Sequence, residues 1–367
     1  MPQIVISGTG VYSPPHVLTN EELVESFNKY VAKEHASCNP NTKLEESSAD
    51  FIKKASGIER RFCVDKDGIL DPSRMRPRLE PRSDEELSIQ AEMGLAASRE
   101  ALKAAGSEAS EIDAVLVACS NYQRAYPAIA VELQDALGAK GFAYDMNVAC
   151  SSATFGVAQG HALLQSGGAN KVLVVSPEIC TGHLNFRDRD SHFIFGDACT
   201  AIVLERAEET KSEEQYEIVG TRLATQFSNN IRNNRGFLTR CEDRPEQDPT
   251  LLFYQEGRKV FKEVTQLVSA LLEEHLGEHD LDPKGVKCMW LHQANASMNA
   301  LIAKRLLGRE ATEEEAPSIL NDYANPSSAG SIIAFHQHRA HLRPGDLGVI
   351  CSFGAGYSIG SVIVRRL

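Results

Sequence analysis

A duplicated α/β fold is predicted by two echoes along the chain and by the character of the strands they contain. Ser151-Ser152-Ala153 returns 176 positions later as Ser327-Ser328-Ala329, and Leu173-Val-Val-Ser176 falls on Val349-Ile-Cys-Ser352 at the same offset. A second echo pairs the segment Phe195 to Leu204 with Phe353 to Val364 at an offset of 158, so the first half carries extra residues before its Phe-Gly turn. The strands are short, rich in Val, Ile and Leu, and alternate with helical patterns, as in sheets covered on both faces.

In chain order, Ser83-Asp-Glu-Glu86 is a capping-box start for a helix running to about Ala105. Ala114 to Ala118 is a strand whose counterpart in the repeat is Val286 to Leu291. The strand-like run from Tyr144 ends before Cys150, and Phe155, Ala158 and Leu163 carry the helical pattern that follows. The charged stretch Glu205 to Glu214 separates the copies, giving an N-terminal half at 1–210 and a C-terminal half at 211–367. Leu267 to Leu272 is expected as core or dimer surface. The polar segments Val31 to Ser48 and Lys66 to Arg82 break the pattern and are expected as surface excursions.

A chain of 367 residues, 42% of them hydrophobic, can bury a large core and is long enough for two domain-sized units. Its 38 basic and 50 acidic residues give a net charge of −12, which disfavours nucleic acid or an anionic membrane as partner. Nine cysteines without a CxxC pair, no basic-then-apolar N-terminus and no apolar run longer than a strand predict a reduced, cytoplasmic, unexported chain. His275-Leu-Gly-Glu278-His279 spells a zinc-peptidase pattern. That chemistry needs an intact helix through both histidines, whereas Gly277 and Asp282-Pro283 predict an exposed helix end. His336, His338 and His341 have no carboxylate or thiol to complete a site, so no metal is expected.

Cys150 stands where strand gives way to helix. There a thiol faces unsatisfied N–H groups and the positive end of the helix dipole, both of which favour thiolate. Alone, such a cysteine could equally be a small buried hydrophobe. Two downstream segments favour the nucleophile: His292 ends the apolar run from Val286, and Asn325 precedes a helical pattern in Asn325-Pro-Ser-Ser-Ala-Gly330. Under the 176 offset Asn325 aligns with Ala149, so the thiol and the amide would lie at the starts of related helices facing one pocket.

Val148-Ala-Cys150, Phe195-Gly-Asp197, His292-Gln-Ala-Asn295, Asn325-Pro-Ser-Ser-Ala-Gly330 and Phe353-Gly-Ala-Gly-Tyr357 together resemble β-ketoacyl-acyl-carrier-protein synthase III. The similarity runs from Ile4 through Gly57-Ile-Glu-Arg-Arg61 to the C-terminus, interrupted by the two excursions. It implies a thiolase fold with a five-layer α/β/α/β/α core, usually homodimeric, and a decarboxylating Claisen condensation that starts fatty acid biosynthesis without a cofactor. An acyl group would pass from acyl-CoA to Cys150 and be attacked by the carbanion derived from malonyl-acyl carrier protein. Backbone N–H groups of Cys150 and Gly356 would hold the oxyanion, and His292 Nε2 with the Asn325 amide would stabilise charge on the malonyl thioester oxygen.

The resemblance also sets expectations at the periphery. Tyr126 matches the position where an aromatic from a partner subunit closes the acyl pocket. Phe51 and Ala55 stand where the family has a Trp and an Arg that help hold CoA, leaving Arg189 for one side of the adenine by cation–π contact. Ser297 replaces a usual Arg after the His-Gln-Ala-Asn motif, so Lys304 and Arg305 would meet the acidic carrier protein, with Arg258, Lys259 and Lys262 as a second basic patch. These departures point to a primer other than acetyl, such as octanoyl, although acetyl stays open. A condensing enzyme with another acceptor and a Cys-His-Asn hydrolase remain alternatives. A degradative thiolase would want a second cysteine in the turn Phe353 to Tyr357, which has none.

Overall fold

The computed structural model describes residues 2–36, 44–245 and 248–367. Its strands are β1 (Ile4–Tyr12), β2 (His16–Thr19), β3 (Arg60–Cys63), β4 (Ala114–Ala118), β5 (Phe142–Met146), β6 (Lys171–Ile179), β7 (Asp197–Arg206), β8 (Tyr216–Ser228), β9 (Ile231–Arg232), β10 (Tyr254–Gln255), β11 (Val286–Leu291), β12 (Leu347–Gly354) and β13 (Gly356–Arg366). The helices are α1 (Asn20–Ala36), α2 (Ala49–Ser56), α3 (Asp67–Leu70), α4 (Ile89–Ala105), α5 (Ile129–Leu137), α6 (Ser152–Ser166), α7 (Gly257–Glu278), α8 (Ala296–Leu307), α9 (Leu320–Tyr323) and α10 (Ala329–Gln337).

Nine strands form one sheet in the order β11-β12-β13-β8-β1-β7-β6-β4-β5. The duplication is visible in that order. Outward from the β8/β1 junction, β1-β7-β6-β4 is matched by β8-β13-β12-β11. In each half the first three strands run antiparallel and the fourth joins in parallel. The junction itself is narrow, with only Val5 opposite Glu217 and Ile6 opposite Tyr216. Every strand pair proposed from the repeat therefore occupies equivalent places.

Three layers of helix sandwich the two half-sheets. The central one is α6 and α10, whose Val157, Leu164, Ile332 and Phe335 share a core with Val174 of one half and Trp290 of the other. Helices α4 and α5 cover the outer face of the first half, and α7 and α8 that of the second. This is the five-layer thiolase arrangement. Leu267 to Leu272 belongs to it, with Val268 and Leu272 fully buried against β11 to β13. No helix among the described residues is long and apolar enough to cross a membrane.

Several boundaries differ from expectation. Helix α4 starts at Ile89 with Ser88 as its cap, accepting from the Ala91 N–H at 3.1 Å, while Ser83 and Glu86 close a separate turn upstream. Capping chemistry recurs within five residues, and only packing chooses between the two starts. The first excursion begins inside α1, whose Val31 is buried, and its residues 37–43 lie outside the described residues. The second contains α3 and buries Ile69 and Met75 against α1 and its neighbours. Glu205, placed in the charged boundary, is instead buried in β7 and paired with Lys171 at 2.9 Å. Helix α7 ends at Glu278 with Gly277 and Glu278 exposed, so the helix end expected there is present. His275 is buried with Nδ1 2.9 Å from the Ser361 hydroxyl, and Glu278 is engaged by Arg222.

Candidate active site

Cys150 lies in a single tight turn, Ala149–Ser151, between β5 and α6. Ala149 has φ 46°, an uncommon backbone for a residue with a side chain, and it swings the chain so that Cys150 lines an apolar cavity. Ser152 staples the turn, accepting from the Val148 N–H at 2.8 Å and donating to the Ala149 carbonyl at 2.7 Å. Ser151 donates to the Ser358 carbonyl at 3.0 Å and so ties the turn to β13 of the other half. The end of β12 crosses directly over the nucleophile. A Cβ on Gly354 would come within 2.6 Å of Cys150 Cβ and 3.0 Å of its sulfur, so this position admits only glycine.

The thiol is not held low by the helix start. Burial pushes it up to about 11, and the Glu178 carboxylate adds to that, while the Ser327 hydroxyl and the backbone N–H groups of Ala355 and Cys150 pull the other way. Cys150 keeps accessible surface where it lines the cavity, yet protein surrounds the sulfur elsewhere, and desolvation outweighs a helix dipole. Beside its own N–H, the backbone N–H that bears on Cys150 is that of Ala355, while Gly356, the donor expected from the sequence, lines a separate shallow pocket with Ala149 and Phe227.

His292 follows β11 and is pinned by its N–H to the Cys351 carbonyl at 2.8 Å. Its ring stands edge-on to Phe353, 5.2 Å between centroids, and burial depresses its pKa to about 4. The imidazole is therefore neutral at pH 7. Asn325 is anchored by its own N–H to the Ile194 carbonyl at 3.0 Å and pairs with Phe195 as an isolated bridge. Its Oδ1 accepts the Ser327 N–H at 2.9 Å, which leaves the amide NH2 for the cavity. The Phe195-Gly-Asp197 motif acts as a latch behind it. Buried Asp197, raised to about 6 by burial, accepts from the Thr181 N–H and hydroxyl and from the Val64 N–H.

Cys150, His292 and Asn325 thus line one cavity of about 340 Å³, walled mainly by apolar side chains such as Phe193, Phe195, Phe253, Val264 and Phe353. That size and character suit a small acyl ligand. Sequence reasoning missed Glu178, a fully buried carboxylate whose pKa is raised by burial. It accepts from the Ser120 N–H and hydroxyl and from the Ser328 N–H and hydroxyl, linking the end of β4 to the start of α10. A signal existed: under the 176 offset Glu178 aligns with Gly354, the other strand end beside the thiol.

Sequence models of the 3-oxoacyl-[acyl-carrier-protein] synthase III family match residues 144–226 and, for its C-terminal part, 276–366. A β-ketodecanoyl-[acyl-carrier-protein] synthase from Pseudomonas aeruginosa is 58% identical over 349 residues, spanning 94% of this chain and all of that protein. The chain belongs to the β-ketoacyl-acyl-carrier-protein synthase III family. A β-ketoacyl-[acyl-carrier-protein] synthase III from Granulibacter bethesdensis is 28% identical over the full length of both chains. The crystal structure of the Aquifex aeolicus 3-oxoacyl-[acyl-carrier-protein] synthase III superposes with a TM-score of 0.77 at 25% identity over 99% of each chain. The protein is accordingly a thiolase-fold condensing acyltransferase of fatty acid biosynthesis that uses acyl-carrier-protein substrates.

In this synthase III the peripheral residues are arranged as follows. Phe51 and Ala55 line the cavity, but the Arg189 guanidinium lies directly over the Phe51 ring at 4.3 Å and its Nε donates to the Glu46 carbonyl. An adenine cannot lie between them unless they part. Tyr126 is 85% exposed and is not part of its own chain's cavity. Asn295 caps α8 and donates to the Ala55 carbonyl at 2.8 Å, joining α8 to α2. Lys304 is paired with Glu310 and Lys259 with Glu256, whereas Arg305, Arg258 and Lys262 are exposed and unpaired among the described residues.

Proposed function

We propose that this synthase III condenses octanoyl-CoA with malonyl-acyl carrier protein to give 3-oxodecanoyl-acyl carrier protein, through an acyl-Cys150 intermediate. The observation that carries the reading is the convergence of Cys150, His292 and Asn325 on one apolar cavity. The chain length follows from the product named for the Pseudomonas relative: ten carbons, less the two contributed by malonate, leave eight for the primer.

Cys150 Sγ attacks the thioester carbonyl carbon, and the Cys150 and Ala355 N–H groups receive the oxyanion. The carbon–sulfur bond to CoA then breaks, and the thiol proton leaves with the CoA sulfur. In the second half-reaction the malonyl carbon–carbon bond breaks and CO2 departs. The His292 and Asn325 N–H groups hold the enolate oxygen while its carbon attacks the acyl carbonyl, and the Cys150 carbon–sulfur bond breaks to release a thiolate that takes a proton from solvent. Neutral donors suit a step that needs charge stabilisation and no strong base. No cofactor enters.

The carrier protein would approach over Arg258, Lys262 and Arg305, the exposed cations of α7 and α8 that form no ion pair among the described residues. We infer a cytoplasmic homodimer in which Tyr126 completes the partner's cavity and the edge strand β5, with its exposed Phe142, forms the contact. The test is condensation of malonyl-acyl carrier protein with acyl-CoAs of two to twelve carbons. Octanoyl-CoA should be the preferred primer, and preference for acetyl-CoA would refute the chain length.

A further inference from the structure

The hairpin of β12 and β13 turns through Ala355, Gly356 and Tyr357, between Gly354 and Ser358, which face each other at its end. Its tip lies against the nucleophile: a Cβ on Gly354 would stand 2.6 Å from Cys150 Cβ and 3.0 Å from its sulfur. The Gly354–Ala355 peptide carries the N–H that bears on Cys150. A backbone N–H has no side chain of its own to aim it, and Ala355 and Gly356 have no polar side chain, so neighbours must fix the tip.

It is gripped on both flanks. On the inner side the Ser358 hydroxyl, 1% exposed, has its proton within reach of the Ala355 carbonyl at 2.9 Å, Ser151 Oγ at 3.0 Å and the Val148 carbonyl at 3.3 Å. It thus lies between the tip and the turn that bears Cys150. On the outer side the buried Tyr357 phenol donates to Glu263 Oε2 at 2.8 Å and accepts from the Asn230 amide at 2.9 Å, and that amide also donates to Glu263 at 3.0 Å. Glu263 lies on α7 beside Val264, and Asn230 precedes Ile231; Val264 and Ile231 both wall the cavity.

We propose that Ser358 and Tyr357 are positioning residues of acyl transfer: their hydroxyls hold the β12–β13 tip so that its N–H meets the thioester oxyanion formed on Cys150. The inference rests on Cys150 as the acyl acceptor, not on the length of the primer. It separates the two half-reactions, because the malonyl enolate is held by His292 and Asn325 and does not need the tip. Removing an oxyanion donor costs about 100- to 1,000-fold in rate, and misplacing one by about 1 Å costs about 100-fold. Ser358→Ala leaves the nucleophile turn its own bonds, since the Val148 carbonyl also accepts the Ser151 N–H at 3.1 Å and Ser152 still accepts from the Val148 N–H and donates to the Ala149 carbonyl. What that variant loses is the hold on Ala355.

The test compares two rates in the full-length enzyme. One is single-turnover acylation of Cys150 over a range of octanoyl-CoA and acetyl-CoA concentrations, followed by mass spectrometry; the other is CO2 release from malonyl-acyl carrier protein without primer. Ser358→Ala should lower the limiting acylation rate by about 10- to 100-fold, with little change in the half-saturating acyl-CoA concentration, and slow CO2 release far less. A variant that acylates at the native rate, or loses both rates in equal proportion as a general loosening of the site would cause, overturns the proposal. Should Ser358→Ala fail to fold, Tyr357→Phe, which removes only the outer hydroxyl, is judged by the same two rates. A native enzyme that gains no acyl group on Cys150 would sink the functional reading along with the proposal, whereas equal rates in native and variant sink the proposal alone.

Discussion

Cys150 and His292 both rest uncharged. With the thiol pushed up to about 11 and the imidazole down to about 4, acyl transfer begins from neutral groups and the site supplies donors where charge develops. His292→Ala and Asn325→Ala should therefore each slow condensation by about 100-fold or more while acylation by octanoyl-CoA is affected far less, as single-turnover measurements of the two half-reactions would show. Buried neutral histidines also set an acid limit. His183, His192, His275 and His292 are all depressed to about 4 from 6.5, so the unfolded chain binds more protons than the folded one between those values. Their contribution is complete above pH 6.5 and is lost as pH falls toward 4; Asp197, raised to about 6, works in the opposite direction. Urea midpoints should fall across that window. The meeting of Cys150, His292 and Asn325 in one cavity was legible because each sits in a motif at a strand or helix end. Their protonation was not, because burial depends on what the rest of the chain brings around them.

At the scale of elements, the passage of β12 over the nucleophile is the tightest constraint. Gly354→Ala should abolish acylation of Cys150, since the added Cβ meets both Cβ and sulfur of the cysteine; mass spectrometry after exposure to octanoyl-CoA checks it. Sequence reasoning found the turn and expected its donor at Gly356, whereas β12 ends at Gly354 and the N–H that bears on Cys150 is that of the next residue, Ala355. The misjudged start of α4 has a similar cause. Ser83 and Ser88 offer comparable caps, and the choice is made by tertiary contacts, among them the Glu132 carboxylate of α5 that accepts the Ser88 N–H.

The whole molecule is two copies of one unit closing on a shared site, and the 176-residue echo made that legible before any coordinate. What the echo marked only by position, as the strand end aligned with Gly354, is the group that locks the copies together. Glu178 joins Ser120 of the first half to Ser328 of the second. Glu178→Ala would leave several buried donors unpaired, at about 1–3 kcal/mol each, and should lower the urea midpoint markedly, whereas Glu178→Gln should lose less. The central claim is that the halves meet to make Cys150 an acyl carrier between two thioesters. Intact-protein mass spectrometry of the native enzyme and Cys150→Ala, incubated with acyl-CoAs from acetyl to dodecanoyl and then chased with malonyl-acyl carrier protein, tests it most directly. The native enzyme should gain one octanoyl group, lost in the chase with formation of 3-oxodecanoyl-acyl carrier protein, and Cys150→Ala should gain none. An adduct on Cys150→Ala, or one released to water regardless of the chase, would contradict the account.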